Sequence, residues 1–383
     1  MGKKQGKKHG NNQRRPSRCV EEDSLPSSAY DPNQREEEES EEEREKSAEE
    51  EGEHNGPYSE DNPSKFLLYQ KSVQSPKGDI SYLQKFFLTY IGGRFPLHLR
   101  EDFCGTALLS AEWIHSDARR TAIGVDLDLE ALTWCLENNI KKVGFDGYSR
   151  IFLYNGNVLQ PHNATLVKCR LPDSINSSET STNEVDPINA DNNPDPKEKC
   201  QNPARDIICA FNYSCCCLQK REDLVLYFKH ALSSLSKKGG IFVMDLYGGT
   251  SSERPLRIQR RYPNFTVRYY RLTVPTFKWR YIWEQEEFDA LSRTTRISLH
   301  FNLGKKGTLR HAFSYNWRLW SLPEIKACLE EAGFQHVHFW MRQMSDTQGS
   351  KNTEFNRDQE AKYVEVSSFK QRDSWNAYIV AVP

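Results

Sequence analysis

Apolar residues along the chain alternate, from Ser81 onward, between short continuous runs and stretches with helical spacing. The continuous runs are typical of buried strands, and they occupy residues 95–102, 120–126, 149–157, 205–212 and 240–249. Between them, apolar residues recur every three or four positions, as on one face of a helix. Strands that alternate with helices predict an α/β fold with a largely parallel sheet.

Capping residues and spacing locate the helices between these strands. Leu109 and Trp113 share a face of the helix that follows the first strand. Asp128 is a predicted N-cap for the helix after the second strand. In residues 222–235 one helical face carries Leu224, Phe228, Leu232 and Leu235, and two glycines end that helix. Upstream, residues 65–87 predict one or two helices broken at Pro76.

The alternation breaks over about residues 250–320, where β-rich aromatic runs follow one another without helical spacing. The segment LGKKG at residues 303–307 predicts a hairpin turn, so an antiparallel insertion is expected here. The alternation then resumes. Ser321 and Glu324 have capping-box spacing, Gly333 ends the helix, and two more strands follow.

Charge is distributed very unevenly, although the net charge is only -1. Residues 1–18 carry seven Lys or Arg and no acid, and residues 35–53 carry twelve Glu against three basic residues. Such blocks cannot bury a core, so residues 1–60 are predicted to be a disordered tail and residues 61–383 the folded domain. The polar stretch 170–204 is predicted to be a disordered surface insertion.

The basic start has three open interpretations: a nuclear address, a weak contact with nucleic acid through residues 1–18, or a solvated tail without a specific partner. No apolar run approaches the ~18 residues that span a bilayer, and no signal-peptide pattern follows the start. We therefore expect a cytoplasmic or nuclear protein without membrane contact. The ten cysteines, three of them adjacent at 215–217, are expected to be reduced packing residues. His336 and His338 lack the spacing of a metal site, and no metal is expected.

The loop after the first strand, LREDFCGTALLSAEW at residues 99–113, contains a single glycine, Gly105. In a doubly wound sheet the ligand lies at the carboxyl ends of the strands. Asp126 ends the second strand 21 residues beyond Gly105, where an acid can accept hydrogen bonds from both hydroxyls of a ribose. The alternative for Asp126 is ordinary helix capping.

Three segments carry a resemblance to a known family: residues 99–113, AIGVDLDLEAL at 122–132 and AFSYNWRLWSLPEI at 312–325. They resemble class I S-adenosylmethionine-dependent methyltransferases, and more narrowly a largely uncharacterised bacterial and plant methyltransferase-like group. The resemblance runs from about Ser64 to the C-terminus, apart from the insertion and residues 343–372. It implies a doubly wound, Rossmann-like seven-stranded sheet with an antiparallel insertion after strand five, and S-adenosylmethionine as cofactor.

The resemblance also assigns residues to the cofactor. Its usual G-x-G-x-G loop keeps only Gly105 here, because Phe103 and Ala107 stand where glycine is common, and glycine there allows positive φ. Arg100 is expected to pair with the methionine carboxylate, whereas Gln74 is expected to be exposed. The expected cofactor residues are Tyr69, Arg100, Glu101, Cys104, Gly105, Thr106, Asp126, Leu127, Asn157 and Val158.

Acceptor residues are expected after strand four and in the insertion. Asn212 and Tyr213 are the catalytic candidates, with Asn212 accepting a hydrogen bond from the acceptor and Tyr213 facing the cationic centre. The expected lining of the acceptor pocket is Tyr247, Glu284, Tyr315, Trp317, Arg318 and Trp320. Ordinary packing of a half-buried sheet is the alternative for each of these six.

The resulting hypothesis is a methyltransferase of unknown acceptor, with a small molecule favoured over protein or RNA. AFNYS at residues 210–214 stands in place of the N/D-P-P-Y signature of many base- and glutamine-directed enzymes. A dehydrogenase would need G-x-G-x-x-G for its pyrophosphate, which this loop lacks. The two alternatives are a catalytically degenerate binding or scaffold protein and a nucleic-acid-directed methyltransferase.

Overall fold

The computed structural model describes residues 28–30, 63–167, 204–262, 266–269, 272–275, 279–343 and 362–383. Most of the charged tail and residues 170–203 of the insertion lie outside the described residues, so their predictions stay predictions. Residues 28–30 differ from the predicted disordered tail. They are buried in the domain, with Tyr30 completely inaccessible to solvent.

The large sheet contains nine strands, of which five are central and mutually parallel. The strands are β1 His98–Asp102, β2 Thr121–Asp126, β3 Ile151–Asn155, β4 Thr165–Leu166, β5 Ile207–Ala210, β6 Ile241–Gly248, β13 His336–Gln343, β14 Val364–Val366 and β15 Trp375–Val382. Their spatial order is β14-β13-β15-β6-β5-β1-β2-β3-β4. Chain order reverses between β1 and β5, which is the switch point where doubly wound sheets bind ligands.

Helices cover the faces of this sheet, in agreement with the predicted alternation. They are α1 Lys65–Val73, α2 Pro76–Tyr90, α3 Leu108–His115, α4 Leu129–Cys135, α5 Lys141–Ser149, α6 Arg221–Ser234 and α7 Leu322–Ala332. The break at Pro76 is confirmed, as is the Asp128 cap, whose carboxylate accepts the Ala131 N–H at 3.1 Å. The capping box of Ser321 with Glu324 and the end at Gly333 are also confirmed.

The insertion forms a separate antiparallel sheet of four strands. These are β7 Leu256–Tyr262, β10 Trp279–Gln285, β11 Thr294–Asn302 and β12 Thr308–Arg318, and a two-stranded ribbon of β8 Thr266–Tyr269 and β9 Leu272–Pro275 lies between β7 and β10 in sequence. The spatial order is β12-β11-β10-β7. The hairpin at residues 303–307 joins β11 to β12, as predicted.

Seven strands of the large sheet give the arrangement that the resemblance implied. In spatial order they are β3, β2, β1, β5, β6, β15 and β13, and β15 runs in the direction opposite to the other six. This is a doubly wound, Rossmann-like sheet with a β-rich insertion after the fifth strand of the series. Within the described part of the chain, no helix has the length and apolar character required to cross a membrane.

Candidate functional site

A cavity of about 580 Å³ lies where the carboxyl ends of the parallel strands face the inserted sheet. One side is formed by the loops after β1, β2, β3 and β5, which contribute Gly105, Asp126, Asn157 and Asn212. We call this side the donor half. The other side, the acceptor half, is formed by rings from β10 and β12 together with α1. Strands that are far apart in sequence therefore meet at one site, as the doubly wound topology requires.

The loop after β1 makes a tight turn in spite of its missing glycines. Phe103, Gly105 and Ala107 all have positive φ, at 56°, 52° and 46°. This conformation is costly for a residue with a Cβ, but the Phe103 ring packs edge-on against Tyr227 with centroids 5.6 Å apart. Packing thus offsets the backbone strain, and the two substituted positions adopt the turn that glycine would favour.

Asp126 binds this loop to the end of β2. Its Oδ2 accepts the Gly105 N–H at 2.6 Å and its Oδ1 accepts the Asp128 N–H at 2.8 Å. A carboxylate has about four acceptor positions, so not all of them are taken and a ligand's hydroxyl can still donate to it. Burial raises the pKa of Asp126, although backbone hydrogen bonds from Asp128, Gly105 and Leu127 oppose that shift. Helix capping was the alternative role for Asp126, but the residue that caps α4 is Asp128.

Thr106 is held in place by side chains from α1 and from the π-helical turn Leu136–Ile140 that follows α4. The Gln70 side-chain amide donates to Thr106 Oγ1 at 2.7 Å, and the Asn139 amide donates to the Thr106 carbonyl at 2.7 Å. The Thr106 hydroxyl in turn donates to Gln74 Oε1 at 3.5 Å. The expectation of an exposed Gln74 is wrong, because it is half-buried and lines the cavity beside Tyr69. It lies there because α1 ends against the first loop.

After β3, Asn157 and Val158 line the cavity next to Asp126. Asn157 Oδ1 accepts the Leu159 N–H at 2.9 Å, which is the local turn bond common for asparagine. Its NH₂ group has no part in that bond. Val158 is buried and provides an apolar surface at the same place. The pair offers an amide beside an apolar contact, which suits the edge and face of a planar base.

Two buried carboxyl groups support the donor half from behind. Glu101 accepts both the Ser110 N–H, at 2.9 Å, and the Ser110 hydroxyl, at 2.6 Å, at the start of α3. Asp245 accepts the N–H groups of Asn212 and Tyr213, at 2.9 and 2.7 Å. Burial raises the pKa of each carboxyl group to about 8. Asn212 and Tyr213 both have positive φ, and Asp245 stabilises that turn.

The acceptor half is aromatic. Tyr315 and Trp317 stack at a centroid distance of 5.3 Å, and Tyr69 packs on Phe313 at 5.1 Å. Trp283 completes this side. The hydroxyls of Tyr69 and Tyr315 have no hydrogen-bond partner among the residues that the structure describes. Rings of this kind attract a cation through their faces, and the two hydroxyls are available to a ligand.

Three expected site residues lie outside the cavity lining. Arg100 is buried and its Nε donates to Asp102 Oδ1 at 2.7 Å, so the expected pairing with a methionine carboxylate is not what its guanidinium does here. Glu101 is occupied by Ser110. Tyr213 is buried behind the cavity, and its hydroxyl donates to Asn376 at 2.8 Å. Arg100 and Asp102 share the face of β1 that packs against α6, where the guanidinium also donates to Ser234 at 3.3 Å.

Four expected acceptor residues are also displaced from the cavity. Tyr247 and Trp320 line a second cavity of about 470 Å³ near the start of α7. Glu284 lies on the opposite face of β10 from Trp283 and is 3.7 Å from Arg257. Arg318 pairs with Glu324 at 3.0 Å. Their aromatic and charged character suggested a site. Alternation along β10 and β12 turns Glu284 and Arg318 elsewhere, whereas Trp320 lies beyond the end of β12.

The remaining expected residues do line the cavity: Tyr69, Cys104, Gly105, Thr106, Asp126, Leu127, Asn157, Val158, Asn212, Tyr315 and Trp317. Sequence reasoning missed others, namely Ala29, Lys65, Phe66, Trp283, Leu299, Phe313 and Cys217. Phe313 had a usable signal, because it precedes Tyr315 by two residues on one strand and so shares its face. The expectation that Cys217 is a buried packing residue is wrong, since it is exposed.

The charges of the cavity suit a cationic nucleoside better than a phosphorylated one. Asp126 and Asp128 line it, and Lys65, the cation in its lining, pairs with Glu130 at 2.8 Å. A pyrophosphate would require open amides at the start of α3. Glu101 already accepts the Ser110 N–H there. The donor set therefore fits S-adenosylmethionine, which has a ribose, a base and a sulfonium but no phosphate.

Comparisons with known proteins bear on the fold. No family model matches the chain, and no curated protein matches it. Among solved structures, it resembles DesVI of Streptomyces venezuelae, with 12% identity, a TM-score of 0.49, and coverage of 83% of this chain and 95% of that one. It also resembles the sugar N-methyltransferase KedS8 of Streptoalloteichus sp ATCC 53650, with 11% identity, a TM-score of 0.48, and coverage of 86% and 97%.

A third similar structure is an S-adenosylmethionine-dependent methyltransferase from Clostridium acetobutylicum ATCC 824, with 14% identity, a TM-score of 0.45, and coverage of 82% and 96%. Similarities at this level assign no acceptor to the chain. Its fold class, a doubly wound Rossmann-like sheet with an antiparallel insertion, rests on the order and directions of its strands. Its activity has to be argued from the cavity.

Proposed function

We propose that the protein transfers a methyl group from S-adenosylmethionine to a small acceptor molecule. The observation that carries this proposal is the donor half of the cavity, where Asp126 offers free acceptor positions while Glu101 closes the start of α3. That combination suits a nucleoside without phosphates. Asn157 and Val158 would receive the adenine, and Gln74 with Tyr69 would meet the methionine end.

The chemistry that the donor supplies is a methyl group on a positively charged sulfur. A nucleophilic atom of the acceptor forms a bond to the methyl carbon while the carbon–sulfur bond breaks, its electrons go to sulfur, and the acceptor's proton passes to solvent. The protein's contribution is chiefly to align the two partners, an effect worth about 7–11 kcal/mol in favourable cases. The rings of Tyr315 and Trp317 stabilise positive charge beside the acceptor half.

Asn212 is the residue best placed to orient the acceptor. Its backbone is fixed by Asp245, and its side-chain Oδ1 is buried with no hydrogen-bond partner among the described residues. A buried acceptor atom left without a partner costs about 1–3 kcal/mol. An amine or hydroxyl of the acceptor that donates to this oxygen would recover that energy and direct its lone pair toward the methyl carbon.

The enclosure of the acceptor half favours a small molecule. The inserted sheet covers the cavity with the packed faces of β10, β11 and β12, and the described lining residues from these strands are uncharged: Trp283, Leu299, Ala312, Phe313, Ser314, Tyr315 and Trp317. A binding site of this kind suits a compact, largely uncharged acceptor. A nucleic-acid acceptor would require a basic approach that these strand faces lack.

Calorimetric titration with S-adenosylhomocysteine, the stable product, tests the proposal. The wild-type chain should bind it. Asp126→Ala should weaken binding by about 100-fold or more, because two hydrogen bonds to a charged group contribute about 1.5–3 kcal/mol each. Glu137→Ala, at an exposed position in the helical turn that follows α4, is the matched control and should bind as the wild type does.

A second titration, with NADH, distinguishes the proposed methyltransferase from a dehydrogenase, the alternative enzyme class with the same sheet architecture. We expect no heat of binding, because Glu101 closes the helix terminus that a pyrophosphate needs. Failure of the wild type to bind S-adenosylhomocysteine at near-millimolar concentration would reject the enzyme and favour a binding or scaffold protein. Unchanged binding by Asp126→Ala would reject the ribose assignment alone.

A further inference from the structure

Residues Ser28, Ala29 and Tyr30 lie in a channel between the two sheets, far in sequence from everything they contact. The channel is formed by the end of α1, the strands β7 and β10, and the start of β15. The Ser28 N–H donates to the Val73 carbonyl at 3.0 Å. Ser28 and Ala29 are almost fully buried and Tyr30 is completely buried.

Side chains of the domain bind all three backbone carbonyls of this segment. Arg260 donates through Nη1 and Nη2 to the Ser28 carbonyl, both at 3.1 Å, and through Nη2 also to the Ala29 carbonyl. The Tyr281 hydroxyl donates to the Ala29 carbonyl at 3.1 Å. The Asn376 amide donates to the Tyr30 carbonyl at 3.2 Å. These donors come from β7, β10 and β15.

The side chains of the segment are recognised as well. Ser28 Oγ accepts from Asn376 Nδ2 at 3.1 Å. The Tyr30 ring packs against Tyr247 and Trp283, with centroids 4.7 and 5.8 Å away, and its hydroxyl is hydrogen-bonded to Ser251. The channel therefore has one place for a small hydroxyl residue and one for an aromatic ring with a hydroxyl at its tip.

Residues 28–30 are bound by a different kind of hydrogen bond from the strands of the domain. Its carbonyls are bound by side chains instead of by a strand ladder, and the guanidinium of Arg260 is buried. A buried cation needs strong acceptors around it, and the carbonyls of residues 28 and 29 supply them. Donors that converge on consecutive carbonyls, with pockets for alternate side chains, are the features that recognise an extended peptide.

We propose that this channel is a binding site for an extended peptide of the type Ser-Ala-Tyr, filled in the resting protein by the chain's own residues 28–30. Ala29 lines the main cavity together with Trp283. The bound segment is thus one wall of the acceptor half, and its release widens that half. The proposal rests on contacts that exist without any donor, and so it stands apart from the proposed methyl transfer.

The test measures fluorescence anisotropy of a labelled nine-residue peptide, LPSSAYDPN, with the sequence of residues 25–33. All variants are full-length. The wild-type chain should not bind the peptide, because its own segment is present at an effective concentration of about millimolar. Tyr30→Ala removes the aromatic anchor in the chain itself, and we expect saturable binding at least about tenfold tighter than to wild type.

Two double variants locate the peptide. Tyr30→Ala with Arg260→Met should lose the binding, because the Ser28 carbonyl loses both of its guanidinium donors and the Ala29 carbonyl loses one of its two donors. Tyr30→Ala with Arg257→Met is the matched control, since Arg257 lies on the same strand with its side chain partly exposed toward Glu284, and it should keep the binding. No binding to a natively folded Tyr30→Ala chain, or equal binding to both double variants, would overturn the proposal.

Hydrogen exchange on the wild-type chain gives a second test that does not depend on how Tyr30→Ala folds. The Ser28 amide donates to Val73 inside the channel and should exchange far more slowly than an unprotected amide. Arg260→Met should accelerate it. A Ser28 amide that exchanges at the unprotected rate in wild type would contradict the occupied channel. Neither test uses S-adenosylhomocysteine, so their failure leaves the methyltransferase proposal untouched.

Discussion

The two halves of the cavity are built on opposite principles. The donor half consists of loops at the ends of parallel strands, with positive φ at four of its residues, Phe103, Gly105, Ala107 and Asn212, and with carboxylates bound to backbone N–H groups. The acceptor half consists of strand and helix faces that present rings, with Phe313, Tyr315 and Trp317 alternating along β12. One half is fixed by backbone geometry and the other by side-chain packing.

This difference determines which amino-acid substitutions each half tolerates. A ligand in the donor half meets backbone that cannot move without breaking hydrogen bonds to Asp126 or Asp245. A ligand in the acceptor half meets side chains, which can be replaced while the strand ladder persists. Substitutions should therefore separate donor binding from turnover.

The largest effect is expected from Gly105→Leu in the donor half. A Cβ on Gly105 would meet no atom within 4 Å, so a leucine there projects into open cavity and displaces the donor. We expect the affinity for S-adenosylhomocysteine to fall about 100-fold or more, measured by calorimetry.

Gly93→Leu controls for the backbone cost of that change. Gly93 also has positive φ and open space around it, at 68° against 52° for Gly105, and it lies on the surface before β1. Both variants should lose about 1–2 kcal/mol of stability from the left-handed conformation. A similar loss of donor affinity in Gly93→Leu would mean that the effect is strain and not occupancy.

An intermediate effect is expected from Tyr315→Phe in the acceptor half. Its hydroxyl has no partner in the described structure, so its removal should leave stability and donor affinity nearly unchanged. Turnover should fall by about tenfold, or 1.4 kcal/mol, measured as S-adenosylhomocysteine released in a cell extract that supplies the acceptor.

Tyr90→Phe is the control for Tyr315→Phe, because it removes a hydroxyl that does have a hydrogen-bond partner. The Tyr90 hydroxyl accepts a hydrogen bond from Trp340 at 2.8 Å, far from the cavity. Its loss should cost about 1 kcal/mol of stability without changing turnover. Should Tyr315→Phe instead weaken donor binding as much as turnover, the division of the cavity into two halves would be wrong.

The smallest effect is the dependence of stability on pH from the buried carboxyls behind the donor half. Burial raises the pKa of Glu101 from 4.5, and that of Asp245 from 3.8, to about 8. Between these limits the folded chain keeps protons that the unfolded chain releases, so the free energy of unfolding should fall as pH rises from about 5 to 8. Urea unfolding across that range measures the slope.

Glu101→Gln removes one of the two carboxyl groups and should make this slope shallower. Glu284→Gln, a partly exposed carboxylate on the inserted sheet, should leave it unchanged. A slope that Glu101→Gln leaves unchanged would show that the Glu101 carboxyl is already ionised in the folded chain over this range.

The donor half can be predicted from the sequence better than the acceptor half, because one is built from strand-end loops and the other from side-chain faces. Strand ends can be located from apolar runs, so Gly105, Asp126, Asn157 and Asn212 are predictable as ligand-site residues, and all four line the cavity. Phe103 lacks the freedom of the glycine that is usual at its position, and packing on Tyr227 explains why it keeps the turn. For the acceptor half, the sequence reveals aromatic residues but not the direction in which they face.

The side of the sheet on which a side chain lies depends on the strand register. That register is set by pairing between strands that are distant in sequence. The sequence favours Glu284 at the acceptor pocket, although Trp283, its neighbour on β10, is the residue that lines it. The burial of residues 28–30 cannot be predicted from the sequence, because a three-residue segment between charged blocks carries no periodic signal. Its burial is decided by donors on β7, β10 and β15.

The most direct test of the divided cavity is a crystal structure of the intact chain with S-adenosylhomocysteine. We predict the ribose hydroxyls on the Asp126 carboxylate, the adenine beside Asn157 and Val158, and the sulfur directed toward Tyr315 and Asn212. A nucleoside bound instead in the second cavity at the start of α7, or one that leaves Asp126 without a ligand contact, would contradict this assignment.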